Sequence, residues 1–213
     1  MKKVLYSLML NEDVVRKIDL LAHSQGTNRS NLVNQILAEY VSVMTPEKRI
    51  NDIFSTIDKL LRPHREIVPY FVPNQQTMAL KSSLEYKYRP TVKYEVELYR
   101  QGGPCIGALS VIYRTQSASL INSMREFFRL WKYIEDKHLA NPGIEYALYE
   151  GKFVRTIHLK SDKDHSNADV AAAISDYIKF FDSMMKGCLA GKYTPQQVET
   201  LYAARLSEGA AAL

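Results

Sequence analysis

VLYSLMLNEDVVRKIDLLAHSQGTNRSNLVNQILAEYV, residues 4–41, is the stretch that decides the fold at the start of this chain. Its first residues alternate between two faces with the period of two that is typical of a β-strand. One face carries Val4, Tyr6, Leu8 and Leu10, and the other carries Lys3, Leu5, Ser7 and Met9. We expect one face to pack on a core and the other to point elsewhere.

Two helices separated by a tight turn are predicted after this strand. Asn11 is a suitable N-cap, and Glu12 and Asp13 follow it in the first turn, where the helix dipole favours carboxylates. Gly26 ends the first helix, and residues 27–30 open the second. The apolar positions at helical spacing are Val14, Ile18, Leu21 and Ala22 in the first helix, and Leu32, Val33, Ile36, Leu37 and Tyr40 in the second.

This unit of one strand and two helices is too small to bury its own apolar faces, because it has only about 40 residues. Pairing the strand with its copy in a second chain would give an antiparallel ribbon over a four-helix core. One face of that ribbon would stay open. We therefore expect a homodimer.

The same stretch resembles a ribbon-helix-helix domain of the MetJ/Arc/CopG superfamily. The matching features are the alternating strand, the Asn-Glu-Asp helix start at residues 11–13, and Gly-Thr-Asn-Arg-Ser at residues 26–30. That last segment is similar to the family's G-x-[ST]-[KR]-S signature. The resemblance covers about the first fifth of the chain and implies binding to double-stranded DNA.

The resemblance also implies roles for particular residues. Outward side chains of the ribbon would read base edges in the major groove, and the start of the second helix would hold a backbone phosphate. The predicted base-reading residues are Lys3, Leu5, Ser7 and Met9, and the predicted phosphate-binding residues are Asn28, Arg29 and Ser30. The chain departs from the family pattern at Leu5 and Met9, since apolar side chains contact thymine methyl groups but make no bidentate hydrogen bonds.

The bulk properties permit this function without demonstrating it. The chain has 213 residues, is 46% hydrophobic and has a net charge of +5, which suits a globular protein with an acidic partner such as nucleic acid. Cys105 and Cys188 are far apart, so no disulfide framework or zinc site is predicted. We find no apolar run long enough for a membrane span. We expect a cytoplasmic protein with no metal and no cofactor.

The rest of the chain predicts two further parts. Residues 1–62 would form the DNA-binding and dimerisation domain, extended by a third helix that begins at Thr45-Pro46 and packs on this domain, on the dimer partner or on the next domain. Residues 63–81, punctuated by prolines, would form an extended connector lying on a surface, with residues 82–213 as the second domain.

Residues 82–213 follow a hairpin-helix order twice. Strands are expected at residues 84–88, 92–98 and around 109–113, then a helix over residues 117–138, a second hairpin around Gly151, and helices from Asn167 and Thr194. The fold class is therefore α+β: a ribbon-helix-helix followed by an antiparallel sheet of about five strands with helices on one side. The repeated order leaves two readings open, an internal duplication or chance.

No arrangement of residues typical of a catalytic site is evident, since the five histidines are scattered, so we do not expect an enzyme. The leading prediction is a dimeric transcriptional regulator, such as a repressor, whose second domain oligomerises, contacts a partner or senses an effector. One alternative is an accessory protein of a mobile element, in partition, conjugative DNA processing or an antitoxin role. Another is a protein–protein module that uses the N-terminal unit only to dimerise.

Overall fold

The structure is a computed structural model that describes residues 4–70, 76–86, 89–101, 103–139, 143–159 and 165–209. Three helices come first: α1 (Glu12–Ser24), α2 (Arg29–Tyr40) and α3 (Pro46–Leu61). Four strands follow: β1 (Ile67–Tyr70), β2 (Thr77–Ser83), β3 (Thr91–Leu98) and β4 (Cys105–Tyr113). The remaining elements are α4 (Ala118–His138), β5 (Tyr146–Tyr149), β6 (Lys152–His158), α5 (Asn167–Leu189) and α6 (Pro195–Ser207).

The six strands form one antiparallel sheet in the order β1-β2-β3-β4-β6-β5. The hairpin β3-β4 is followed by α4, and the hairpin β5-β6 is followed by α5, so the predicted double hairpin-helix order is confirmed. The α+β class is confirmed as well. The sheet has six strands rather than about five because residues 63–81, predicted to be a connector, contribute β1 and most of β2.

The helix ends in this part of the chain follow from their capping residues. Ser117 accepts a hydrogen bond from the Leu120 amide at the start of α4, and reciprocal capping boxes open α5 at Ser166 and α6 at Thr194. The predicted strand at residues 84–88 is wrong for residues 84–86, and residues 87 and 88 lie outside the described residues. β2 ends at Ser83, the Leu84 amide donates to the Pro90 carbonyl at 3.0 Å, and Arg89 has a φ of 42°.

One hydrophobic core lies between the sheet and α3–α6. α3 packs on α5, so of the three predicted neighbours of α3 it is the second domain that contacts it. α4 packs on α5 and α6. The buried side chains of α3 are Ile50, Ile53, Phe54, Ile57 and Leu61. They join the same cluster as the inward face of β3, which is formed by Val92, Tyr94, Val96 and Leu98. α3 is therefore part of the core that the sheet builds.

A buried ion pair lies inside this core. Arg155 of β6 donates from Nε to Glu135 Oε2 of α4 at 2.8 Å, and both side chains are buried. The Tyr202 hydroxyl of α6 donates to the other carboxylate oxygen of Glu135 at 3.2 Å. The Arg155 guanidinium lies 4.7 Å from the ring centre of Tyr177 in α5. Four elements thus meet at two charges that have been removed from water, which makes each charge costly without its partner.

Burial also keeps the surrounding phenols neutral. Tyr177 accepts a hydrogen bond from the Trp131 indole N–H at 2.8 Å. Burial first, and then the negative charge of Glu135, raise the pKa of Tyr177 far above its ordinary value. The same two causes, in the same order, raise the pKa of Tyr146. Both hydroxyls therefore stay protonated at physiological pH.

Glu135→Leu should destabilise the fold by about 3–5 kcal/mol, because it leaves the Arg155 guanidinium buried without its counter-charge. Glu135→Leu combined with Arg155→Met should cost less than the single change, since the orphaned charge is gone. Urea unfolding followed by circular dichroism measures both. A double variant as unstable as the sum of the two single variants would contradict this account.

Candidate nucleic-acid interface

The turn between α1 and α2 is closed by backbone hydrogen bonds that require a left-handed residue. Gly26 has a φ of +62°, a conformation that costs glycine little because it has no Cβ. The Thr27 amide donates to the Ala22 carbonyl at 2.9 Å, and the Gly26 amide donates to the His23 carbonyl at 3.1 Å. This closure at the end of α1 fixes where α2 begins.

α2 begins at Arg29, with Asn28 as its N-cap. The Asn28 side chain accepts a hydrogen bond from the Asn31 amide at 2.9 Å. The amides of Arg29 and Ser30 have no hydrogen-bond partner among the described residues, and both residues are exposed. Unpaired amides at the positive end of a helix suit an anion, and the phosphate contact that the resemblance implies for this turn stays a prediction.

The Arg29 side chain pairs with Asp19 of α1, a residue that the sequence analysis did not single out. Arg29 Nε–H donates to Asp19 Oδ1 at 2.6 Å, and Arg29 Nη2 donates to Asp19 Oδ2. Both side chains are about half exposed, at 53% for Arg29 and 45% for Asp19. The ion pair therefore joins the end of the turn to the middle of α1 across ten residues of chain.

Protonation behaviour follows from this pairing. The hydrogen bond from Arg29, supported by its charge, lowers the pKa of the Asp19 carboxyl below its ordinary value, and Asp19 raises the pKa of Arg29. A carboxyl whose pKa is lowered by folding contributes stability above its unfolded pKa, and it loses that contribution as the pH falls through its folded pKa. The pair is therefore fully charged throughout the neutral range.

The structure contains no strand within residues 4–10, and every one of these side chains is exposed. The predicted strand would pair with a second copy, which a single chain does not contain, so the ribbon stays a prediction. Leu5 and Met9 are the most exposed of these side chains, at 96% and 100%, and Ser7 is also exposed. Lys3 lies outside the described residues.

The predicted site residues fall into two groups. Asn28, Arg29 and Ser30 meet at one helix end together with Asp19. Among the described residues, no hydrogen bond or ion pair connects this group to residues 4–10. Sequence reasoning missed Asp19 because a single carboxylate on a helix, between Ile18 and Leu20, looks like an ordinary solvated residue. Only the turn geometry brings it to Arg29.

Large hydrophobic side chains are exposed throughout the N-terminal part of the chain, and together they are called its apolar surface below. Fifteen of the 23 large hydrophobic side chains exposed in the described residues lie within residues 4–44. Only Ala22 and Leu32 are buried in that part of the chain, between the two helices. A specific interface typically takes about 800 Å² from each partner, and a monomer rarely exposes a contiguous apolar patch larger than a few hundred Å². One copy of the chain does not cover this surface.

The described residues contain no group of three or more His, Cys, Asp or Glu side chains placed to hold a metal ion. No described helix has both the length and the apolar character needed to cross a membrane.

Comparisons of the chain with protein-family models, with curated proteins and with solved structures gave no significant match. What the N-terminal surface does therefore has to follow from its own residues and geometry.

Asn28→Ala should lower the free energy of unfolding of the N-terminal helix pair by about 1 kcal/mol, because the first turn of α2 loses its side-chain cap. Asn28→Asp should keep the stability, since a carboxylate also accepts from the Asn31 amide. Thermal unfolding followed by circular dichroism compares the two. Equal loss in both variants would mean that the cap is not what Asn28 contributes.

Proposed function

We propose that this protein is a homodimeric double-stranded DNA-binding protein, acting as a transcriptional regulator. Residues 3–10 of two copies pair into an antiparallel β-ribbon that enters the major groove, and the two α1-α2 pairs form the core beneath it. The observation that carries the proposal is the uncovered apolar surface of residues 4–44. It supports association because exposed apolar area of this size is stabilised by burial against a partner.

A second copy is the partner that fits this surface best. The apolar positions of both helices share the spacing of a core face, and two identical faces cover each other around a two-fold axis. A strand at residues 4–10 likewise pairs with its own copy antiparallel to itself. Its inward residues Leu8 and Leu10 are 52% and 44% exposed in the single chain, which leaves them available to that core.

The DNA contact follows from what the dimer would leave open. Leu5, Ser7 and Met9 would project from the outer ribbon face, where two apolar side chains favour thymine methyl groups over hydrogen-bonded readout. The amides of Arg29 and Ser30 would hold a phosphate on each side of the groove. Binding should therefore depend more on phosphate contacts than on base sequence.

A protein–protein module is the second candidate, favoured by the same apolar residues. Leu5 and Met9 are almost fully exposed, and an apolar ribbon face could equally cover a surface on another protein. Salt separates the two candidates, because each neutralised phosphate adds about 0.9 to the slope of log affinity against log salt concentration. An apolar protein contact gives a nearly flat response.

Leu37→Glu should shift the protein from dimer to monomer, because it places a charge in the centre of the proposed core. Leu201→Glu on α6 is the matched control: Leu201 is also partly exposed, at 39%, but lies outside residues 4–44. Sedimentation velocity should give half the mass for Leu37→Glu and no change for the control. A monomeric wild-type protein would overturn the dimer.

Random-sequence duplex DNA should bind the wild-type protein with a steep salt dependence in fluorescence anisotropy. Leu5→Glu combined with Met9→Glu should lower that affinity at least tenfold while the protein stays dimeric, since two carboxylates would face the phosphates. Deleting residues 1–10 should abolish binding. Unchanged affinity in the double variant would place the ribbon outside the groove, and a flat salt response of the wild type would favour the protein–protein module.

A further inference from the structure

The Arg29 side chain does not project freely from the start of α2. Two of its nitrogens, Nε and Nη2, are committed to the two oxygens of the Asp19 carboxylate. This bidentate arrangement sets the plane of the guanidinium as well as its position, which a single contact would not do. The net charge of the pair is zero, so Arg29 offers a phosphate little more charge than a neutral group.

The pair of Asp19 and Arg29 connects α1 to the start of α2, where the proposed phosphate contact lies. Asp19 lies on α1, and Arg29 is the first residue of α2, whose amide is one of the two unpaired amides at that helix end. Between them, only Ala22 and Leu32 are buried in the helix pair. Since few side chains are buried here, the ion pair is one of the contacts, beside the backbone hydrogen bonds of the turn, that hold α2 against α1.

We infer that Asp19 is a positioning residue of the DNA contact: through its bidentate pair with Arg29 it fixes the start of α2, so that the amides of Arg29 and Ser30 meet the phosphate. Arg29 acts as a clamp between the helices and not as a free phosphate ligand. This inference rests on the proposed DNA-binding function. In it, the Arg29 guanidinium orients the start of α2 and does not itself bind the phosphate.

Charge alone and the clamp predict opposite signs for Asp19→Asn. The substitution removes a negative charge beside the phosphate site and releases Arg29, so electrostatics alone should tighten DNA binding. In the clamp, the same substitution loosens α2, and we expect up to about fivefold weaker binding, the upper limit for a half-exposed ion pair. The result is measured on full-length protein with a random-sequence duplex by fluorescence anisotropy.

Asp13→Asn is the matched control for this variant. Asp13 lies on the same helix, is strongly exposed and makes only a 3.9 Å contact with Arg16. It removes the same charge without touching the clamp, and its affinity should equal or slightly exceed that of the wild type. Weaker binding by both variants would overturn the inference, because the loss would then not be specific to Asp19.

Arg29→Lys tests the clamp without altering the net charge. A lysine keeps the positive charge beside the phosphate, but its single ammonium group does not form the planar bidentate pair with Asp19. We expect Arg29→Lys to bind DNA about as weakly as Asp19→Asn, with the salt slope of the wild type. This variant also keeps the test valid if Asp19→Asn fails to fold, which the dimer mass and the circular dichroism spectrum would reveal.

The outcomes separate this inference from the function on which it rests. Asp19→Asn binding more tightly than the wild type, or Arg29→Lys binding equally well, would overturn the clamp while the DNA-binding function stands. A wild-type protein without salt-dependent DNA binding would overturn both. Weaker binding by Asp19→Asn and Arg29→Lys, with Asp13→Asn unaffected, would establish the clamp.

Discussion

One part of this protein buries its apolar side chains within the chain, and the other part leaves them exposed. Residues 46–209 enclose their own core, in which α3–α6 cover one face of the sheet. Residues 4–44 bury only Ala22 and Leu32 and leave fifteen large hydrophobic side chains exposed. Apolar surface of this extent is costly in water, and burial against a partner would remove that cost. The proposed dimer, ribbon and DNA contact all depend on this exposed apolar surface.

The two parts also use charge differently. Glu135 and Arg155 are fully buried, so neither tolerates the loss of the other, and their pairing makes the core specific about how α4 meets β6. Asp19 and Arg29 are half exposed, so water screens them and their pairing contributes little to stability. The role that we infer for this pair is the geometry that it imposes at the start of α2, not the stability of the fold.

Helices were the easiest elements to predict from the sequence, because their signals are local. Thr45, Ser117, Ser166 and Thr194 each precede a helix, and each caps it through its own side chain. The strands were harder. β2 reads TMALKSS, in which only Met78 and Leu80 are apolar inward residues, and its third inward position is Ser82. The more regular alternation of Leu84 and Tyr86 was therefore mistaken for the strand. No local signal distinguishes a proline-rich connector from an edge strand.

In the candidate site, too, the features with local sequence signals were predictable and those that depend on distant residues were not. Asn28 as a cap and Gly26 as the left-handed residue of the turn were predictable, because each role depends on a few adjacent residues. The partner of Arg29 was not, because Asp19 reaches it only after the turn has reversed the chain. The proposed ribbon has no counterpart in a single chain, because its strands would pair between two copies.

The connection between the two parts limits how independently they can act. Residues 41–45 separate α2 from α3, and five residues span at most about 17 Å when fully extended. The connection is also bent: Ser42 has a φ of 57°, and Lys48 of α3 pairs with Glu39 of α2 at 3.2 Å. Because α3 is buried in the core of the sheet, each sheet domain must stay close to the end of α2. In the proposed dimer, a ligand or partner that changed the spacing of the two sheet domains would therefore act directly on the helices beneath the ribbon.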